Sequence, residues 1–388
     1  MSKGMKIMEA PGLYGHFSVK ERLIQQIWEK GDFMTDDLRT IDGEALNIND
    51  SGKWNLAEEG PDFKGARISI DGQTIEGDVE IHFEEKDWTR HGHDQDPAYA
   101  RVILHVVLYP TKEKKRVFFP DRKQQPHTLV LLPYLFKSLE EYAEEDALEK
   151  LAGISPQSTI PDHFPQNLEE CKDWARKRWI QKCKHAENRL NSANWENACH
   201  QWFLEVLGYR RNRTPMARIA QLFPVKVWRA GLNEEEVYTS QKDWKLRGCR
   251  PANHPMKRLQ QYGQLSKTFS GWMISMQKMD FSEDCSIEAL PLISRKTLQL
   301  KKLEDVWAQN ILGGIFGGTR QHTLMVDACL PLWSVYHGKS IFETWYQWSS
   351  GDIPAVFRKW CQQGNLINRT QPFCNGRAQA ILWGSMKR

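Results

Sequence analysis

The sequence predicts an α/β N-terminal domain with a mixed sheet, followed by an all-α domain. Three observations predict it. Alternating and β-branched runs crowd the stretch from Ala66 to Leu108. Helical spacing of apolar residues dominates from about Asn167 onward. Between them, residues 153–166 hold three prolines and read as a linker, dividing the chain into 1–152, 153–166 and 167–388. A length of 388 residues suits two or three domains of roughly 100–200 residues each.

In order along the chain, Lys20 to Lys30 reads as an amphipathic helix with Leu23, Ile24, Ile27 and Trp28 on its buried face. Ser18 is the expected cap, and Glu21 completes a capping-box pattern. Short strands or loops are expected from Asp36 to Asn55. Ala66 to Ile70 alternates, Asp71-Gly72 is a strong hairpin signal, and Asp78 to Phe83 alternates again. A β-hairpin follows, with Val79, Ile81 and Phe83 facing inward. Asp87 to Arg101 reads as a polar loop or short helix. Val102 to Leu108 is apolar enough to be buried on both faces. Another strand is expected at Arg116 to Phe119 and a charged helix at Glu140 to Leu151. Later helices are expected at Cys171 to Leu190, Asn194 to Leu207 and Pro215 to Phe223, the last capped by Thr214. More follow at Pro255 to Leu265, Thr319 to Tyr336 and Pro354 to Gln363.

Composition is that of a globular protein, with a net charge of only +4 that permits an acidic partner without arguing for one. The 16 tryptophans, thirteen of them after Leu151, read first as core anchors and second as stacking platforms for bases. Eight cysteines contain no CxxC pair, so a structural zinc site of the usual spacing is not expected. No apolar signal region and no run of about 18 apolar residues occurs, so the expectation is a cytoplasmic protein without a membrane segment.

The chemistry-bearing residues concentrate between Gly60 and His105. Metal-dependent phosphodiester cleavage wants carboxylate oxygens for a hard cation and a basic group beside the attacking water. Residues at i and i+2 share one face of a strand, so Asp78, Glu80 and His82 lie opposite Val79, Ile81 and Phe83. With Asp62 at the hairpin's entry, this arrangement resembles the PD-(D/E)xK nuclease-like fold over roughly residues 18–109. The resemblance implies a restriction-endonuclease-like mixed sheet in the N-terminal domain. It implies Asp62 and Glu80 as the two acids, Glu21 as a further metal ligand from the first helix, and Mg2+ or Mn2+ as cofactor. It departs at the lysine position, which is His82; histidine can serve as base or ligand but not as a fixed cation.

A second candidate cluster is His91, His93 and Asp96, with His105 on the next strand. His91-x-His93 resembles the start of the metallo-β-lactamase-like metal motif, but the Asp-His pair of that motif would fall on Gln95 and Asp96. Zn2+ held by His82, His91, His93 and His105 is therefore the competing expectation to Mg2+ or Mn2+. Against both stands the plain reading of a hairpin's solvated face and a core histidine at 105. In the helical half, Arg210, Arg211, Arg213, Arg250 and Arg258 are candidates for tracking a nucleic-acid backbone, beside a structural role in ion pairs.

The strings GPDF, GDVEIH, DWxxHGHxxDPxY, VILHVV, LGYRRN, RPANHP and LGG…TR resemble, in this order and across nearly the full length, a bacterial family of unknown function numbered 2851. The resemblance implies a bacterial cytoplasmic protein and brings no activity with it. The expected function is metal-dependent phosphodiesterase or nuclease chemistry on nucleic acid. The alternatives are a non-catalytic nucleic-acid-binding or scaffolding protein on a degenerate nuclease fold, and a zinc-dependent hydrolase.

Overall fold

The computed structural model describes residues 9–12, 15–56, 59–110, 125–155, 158–209, 211–247, 249–282 and 293–386. The strand expected at Arg116 to Phe119 lies outside these residues. The chain divides into two compact units, Met1–Ala143 and Glu144–Arg388.

The first unit is built on a mixed sheet. β1 (Glu9–Gly12) and β2 (Gly15–Lys20) form a small antiparallel pair. The main sheet contains β3 (Leu38–Arg39), β4 (Ala45–Asp50), β5 (Lys53–Trp54), β6 (Phe63–Ile70), β7 (Gln73–His82), β8 (Val102–Val107) and β9 (His127–Val130). Its order is β3-β4-β6-β7-β8-β9, with β5 paired to β6. β6 runs antiparallel to β4 and β7, whereas β7, β8 and β9 are parallel.

The hairpin forms where the turn chemistry places it. Asp71 and Gly72 both take positive φ (45° and 86°), the backbone of the tight turns that match strand twist. Ile70 pairs with Gln73 across it. Further along, the β6–β7 register shifts between Phe63 and Ala66, and Gly65 (φ 71°) donates its N–H to Asp78 Oδ1 at 3.0 Å. Asp78 thereby fixes a bulge, the usual device for re-aiming a strand. Because β7 and β8 are parallel, a crossover joins them, containing the short helix α2 (Asp87–Arg90) and a 3-10 turn at Pro97–Tyr99.

Helix α1 (Glu21–Lys30) buries Leu23, Ile24, Ile27 and Trp28, the stripe its sequence predicts, and packs on β7. Its start differs from expectation. Ser18 lies in β2, paired with Pro11, and Lys20 is the residue before the helix, with no side-chain cap. A strand feeding straight into the helix leaves no free turn for a capping serine. β9 escapes sequence reading because only four residues of the apolar run His127–Leu132 are extended before a 3-10 turn begins at Leu132.

The second unit is helical. It includes most of α3 (Leu139–Ala152), whose length spans the division between units. α4 (Leu168–Ser192) and α5 (Trp195–Leu207) are capped by Asn167 and Asn194, whose side chains accept from Glu170 N and Asn197 N. α6 (Arg213–Leu222) begins two residues ahead of the expected Pro215, with Asn212 before it; Thr214 is not its cap. A proline within the first turn removes only an N–H that has no intrahelical acceptor. The expected helix Thr319 to Tyr336 forms as one run to His337 that widens to π geometry over Met325–Cys329. Pro331, one turn on, has no N–H for the Asp327 carbonyl, a local cause for the widening.

Tryptophans anchor this unit's core. Trp202, Trp228, Trp272, Trp307, Trp345, Trp348, Trp360 and Trp383 are fully buried. Several indoles donate to loop or helix-end carbonyls, as Trp307 does to Gln321 O and Trp360 to Ser158 O. Among the described residues no helix is long and apolar enough to cross a membrane.

Two predictions follow from the packing. A Cβ on Gly77 would lie 2.4 Å from Arg101 O and 2.5 Å from Ile103 Cγ2, where β7 meets β8. Gly77→Ala is expected to destabilise the protein by about 1–3 kcal/mol through overpacking, measured by urea denaturation. In the helical unit, Glu144 is buried against Arg178 (2.5 Å) and Lys182 (3.7 Å). Burial alone would raise its carboxyl, but Arg178, Lys182 and Arg213 overcome that and hold it down to about 2. Its stabilising contribution is therefore complete above the ordinary 4.5 and lost as pH falls toward about 2. Acid titration of unfolding should show Glu144→Gln lacking that part of the loss.

Candidate metal centre

The face of β7 that carries Asp78, Glu80 and His82 meets β8 and the β7–β8 crossover, and each supplies polar side chains. His82 reaches His105 on β8, with Nδ1 and Nε2 2.9 Å apart. Parallel register sets this meeting, because Glu80 is aligned with His105. The crossover returns His91 and His93 to the same place: His91 Nδ1 is 3.1 Å from His82 Nε2. Glu80 Oε1 is 3.3 Å from His82 Nε2 and 3.2 Å from His93 Nε2. One ligand atom each from His82, His91 and His93 lies within 4.8 Å of the other two.

Aromatic rings wall the cluster. His93 stacks on Tyr99 with centroids 3.7 Å apart, and Trp88 packs edge-on against His82, His93 and His105. Asp96 is not among the converging groups. Its side chain accepts from Ala98 N at 2.9 Å and so shapes the turn that presents Tyr99. His82 and His93 are buried, whereas His91 is exposed and gives the cluster an opening to solvent.

On the other side of Glu80 lie the acids. Glu80 Oε2 accepts from Asp62 N at 3.0 Å, and Asp62 Oδ2 accepts from Ile81 N at 3.0 Å. Gln25 on α1 donates to Asp62 Oδ1 at 2.7 Å. Glu21, one helical turn earlier on the same face, has a buried Oε1 without a hydrogen-bond partner. Asp62 and Glu80 thus touch through backbone and side chain, and Glu21 feels the charge of both. These three acids are not part of the group whose ligand atoms converge within 4.8 Å.

Burial dominates the electrostatics. It raises Glu21 and Glu80 to about 8 and Asp62 well above its usual range; Asp62 and Glu80 add repulsion on Glu21, and Glu80 adds it on Asp62. Burial also lowers all four histidines, His93 to about 4 and His105 to about 3. Glu80 and its imidazole neighbours are therefore held neutral. Neutral imidazole is the form that ligates a metal.

Sequence reasoning missed Gln25 and Arg90, and read nothing more than packing into the aromatic wall. Gln25 falls four residues after Glu21, a spacing that would have revealed it. Arg90 acts on Glu21, His82 and His91 electrostatically while pairing with Asp87 at 2.7 Å. Trp88 and Tyr99 were legible only as packing. Lys86, on the loop after β7, pairs with Glu84 at the surface.

The arginines proposed to contact nucleic acid lie in the helical unit. Arg211 is exposed, bonded to Arg247 O (2.8 Å) and Glu149 (3.3 Å). Arg213 meets Glu145 at 3.3 Å. Arg250 is exposed at the turn Pro251–Asn253, and Arg258 is buried. Arg210 lies outside the described residues.

A family model described as a protein of unknown function, DUF2851, matches residues 21–240, from the first residue of α1 into the helical unit. No curated protein and no solved structure matches the chain.

The buried acids set a measurable pH dependence. Glu21 and Glu80 titrate near 4.5 when unfolded and near 8 when folded, so the folded form holds extra protons in that interval. Stability should then fall as pH rises. The lowered histidines oppose this only below 6.5. In chelator-treated protein the melting temperature is expected to fall between pH 6.5 and 8, and less steeply in Glu21→Gln.

Proposed function

On the footing that this chain belongs to the family of unknown function DUF2851, we propose that its N-terminal unit is a metal-dependent phosphodiesterase acting on nucleic acid. The observation that carries the reading is the convergence of neutral His82, His91 and His93 beside the buried Glu80 carboxyl group. Ligands about 2.0–2.1 Å from a tetrahedral ion stand roughly 3.3 Å from one another. The 3.1 Å between His82 and His91 suits that spacing, and all three histidine ligand atoms lie within 4.8 Å of one another.

His82, His91 and His93 would hold the ion, with Glu80 beside them, and imidazole donors favour Mn2+ or Zn2+ over Mg2+. A bound ion there supplies Lewis acidity toward a phosphoryl oxygen and a more acidic water. The protein's own groups do the rest. Glu21, raised to about 8 and beside the cluster, is poised to exchange a proton near neutral pH. Asp62 orients Glu80 through its backbone N–H. Arg90 brings the positive charge that His82, kept neutral, does not. The choice of phosphodiesters is supported by the order of elements: α1, the hairpin with Asp62 and Glu80, then α2 and the parallel β8. Apart from the intervening strands β3 to β5, that order resembles the nuclease-like, restriction-endonuclease-like arrangement. The acid side, with Glu21, Asp62 and Glu80, is the alternative seat for Mg2+.

A second reading is favoured by one observation, the neutral histidine at the lysine position: a nucleic-acid-binding protein that does not cleave. Its signature is salt-dependent binding with the substrate left intact.

The deciding experiment incubates the full chain with Mn2+ or Zn2+ and single-stranded, duplex or branched DNA and RNA. Cleavage abolished by chelator is expected, with Glu80→Gln and His93→Ala each slowing it by about a hundredfold or more. Undiminished cleavage in both variants, or no cleavage of any substrate, would overturn the enzymatic assignment.

A further inference from the structure

The helical unit contains a cationic cluster with unmet hydrogen bonds. Arg258 lies on the helix Pro255–Thr268 and Arg320 at the start of the run from Thr319. Both are buried, at 6% and 3% exposure. Asn253 Oδ1 accepts from Arg258 at 2.8 Å and from Arg320 at 3.2 Å, so one amide oxygen joins two guanidiniums. Arg258 also donates to Gln261 Oε1 at 2.7 Å. Arg320 donates to Val206 O at 3.3 Å, lies over the Tyr209 ring and pairs with Asp352 at 2.9 Å.

The charge does not balance. Asp352 is the one carboxylate paired with either guanidinium among the described residues, and it also accepts from the Thr319 hydroxyl. Arg258 has no carboxylate partner there. The Nε atoms of both arginines are buried without an acceptor. Burial, with repulsion from Arg320, brings Arg258 down to about 10. A buried cation without an anion is costly, and two side by side are more so.

An oxyanion would supply both the missing charge and the missing acceptors. Paired guanidinium forks match phosphate oxygens in geometry as well as charge. Asn253 is half-buried and follows the exposed Pro251 and Ala252, so the cluster lies close to the surface along the chain. We propose that Arg258 and Arg320, joined by Asn253, form a pocket for a phosphate group, and that the 5′-terminal phosphate of a nucleic acid is its source. The pocket is independent of the metal centre.

The test uses the full chain with no divalent ion and no cleavage readout. Melting is compared in inorganic phosphate and in chloride at matched ionic strength. Binding is compared for a single-stranded oligonucleotide with a 5′-phosphate and the same one with a 5′-hydroxyl. Phosphate should raise the melting temperature above that in chloride, and the phosphorylated end should bind about tenfold tighter. Arg258→Met should erase both effects while leaving the melting temperature in chloride unchanged or higher, since it removes an unpaired buried cation. Lys257→Gln, on the exposed neighbour, should change neither. A phosphate response without any preference between the oligonucleotides would overturn nucleic acid as the source. Equal melting in phosphate and chloride, or a phosphate response that persists in Arg258→Met, would overturn the pocket. If Arg258→Met does not fold, Arg258→Lys, which keeps the charge without the fork, replaces it.

Discussion

The candidate site depends on the two-sided engagement of the Glu80 carboxyl group. One oxygen accepts from Asp62 N at the entry of β6; the other faces His82 and His93. Each contact fixes a different part of the chain. The first locks the hairpin's entry to its return strand. The second draws the crossover back over the sheet. A carboxyl group in this position is buried, and burial is tolerated only where its oxygens find partners.

Around it the electrostatics are consistent. Acids are pushed up and imidazoles down by the same cause, removal from water, so the cluster lacks the ion pairs that its residue types would suggest. The wall of Trp88, Tyr99 and Val102 keeps the surroundings apolar, while His91 remains open to solvent. The helical unit handles charge differently. Lys172–Glu343 and Lys182–Asp327 are close ion pairs at 2.7 Å, as expected of burial with a partner. Arg258, which has no carboxylate partner among the described residues, stands apart from that pattern.

Much of the fold was legible because it rests on local signals. Alternation on β7 separates Glu80 and His82 from Val79 and Ile81, and Asp71-Gly72 closes the hairpin at one register. Helical stripes place α1, α4 and α5 within a few residues of their ends. Errors arose where a neighbour outweighs a local preference, as when β2 runs into α1 and displaces Ser18 from its capping role. Asp78 and Asp96 looked like candidate chemistry and instead fix a bulge and a turn, because a short carboxylate next to free backbone N–H groups bonds to them first.

The sequence by itself determined which residues share a strand face, where the chain turns, and that a sheet-based part precedes a helical one, since each depends on backbone periodicity and turn chemistry within a few residues. Only the tertiary structure decided which polar groups meet. Parallel alignment of β7 with β8 brings His105 to His82, and the folded-back crossover adds His91 and His93. Such meetings join residues distant along the chain, and their geometry follows from strand register and buried packing, which no local pattern encodes.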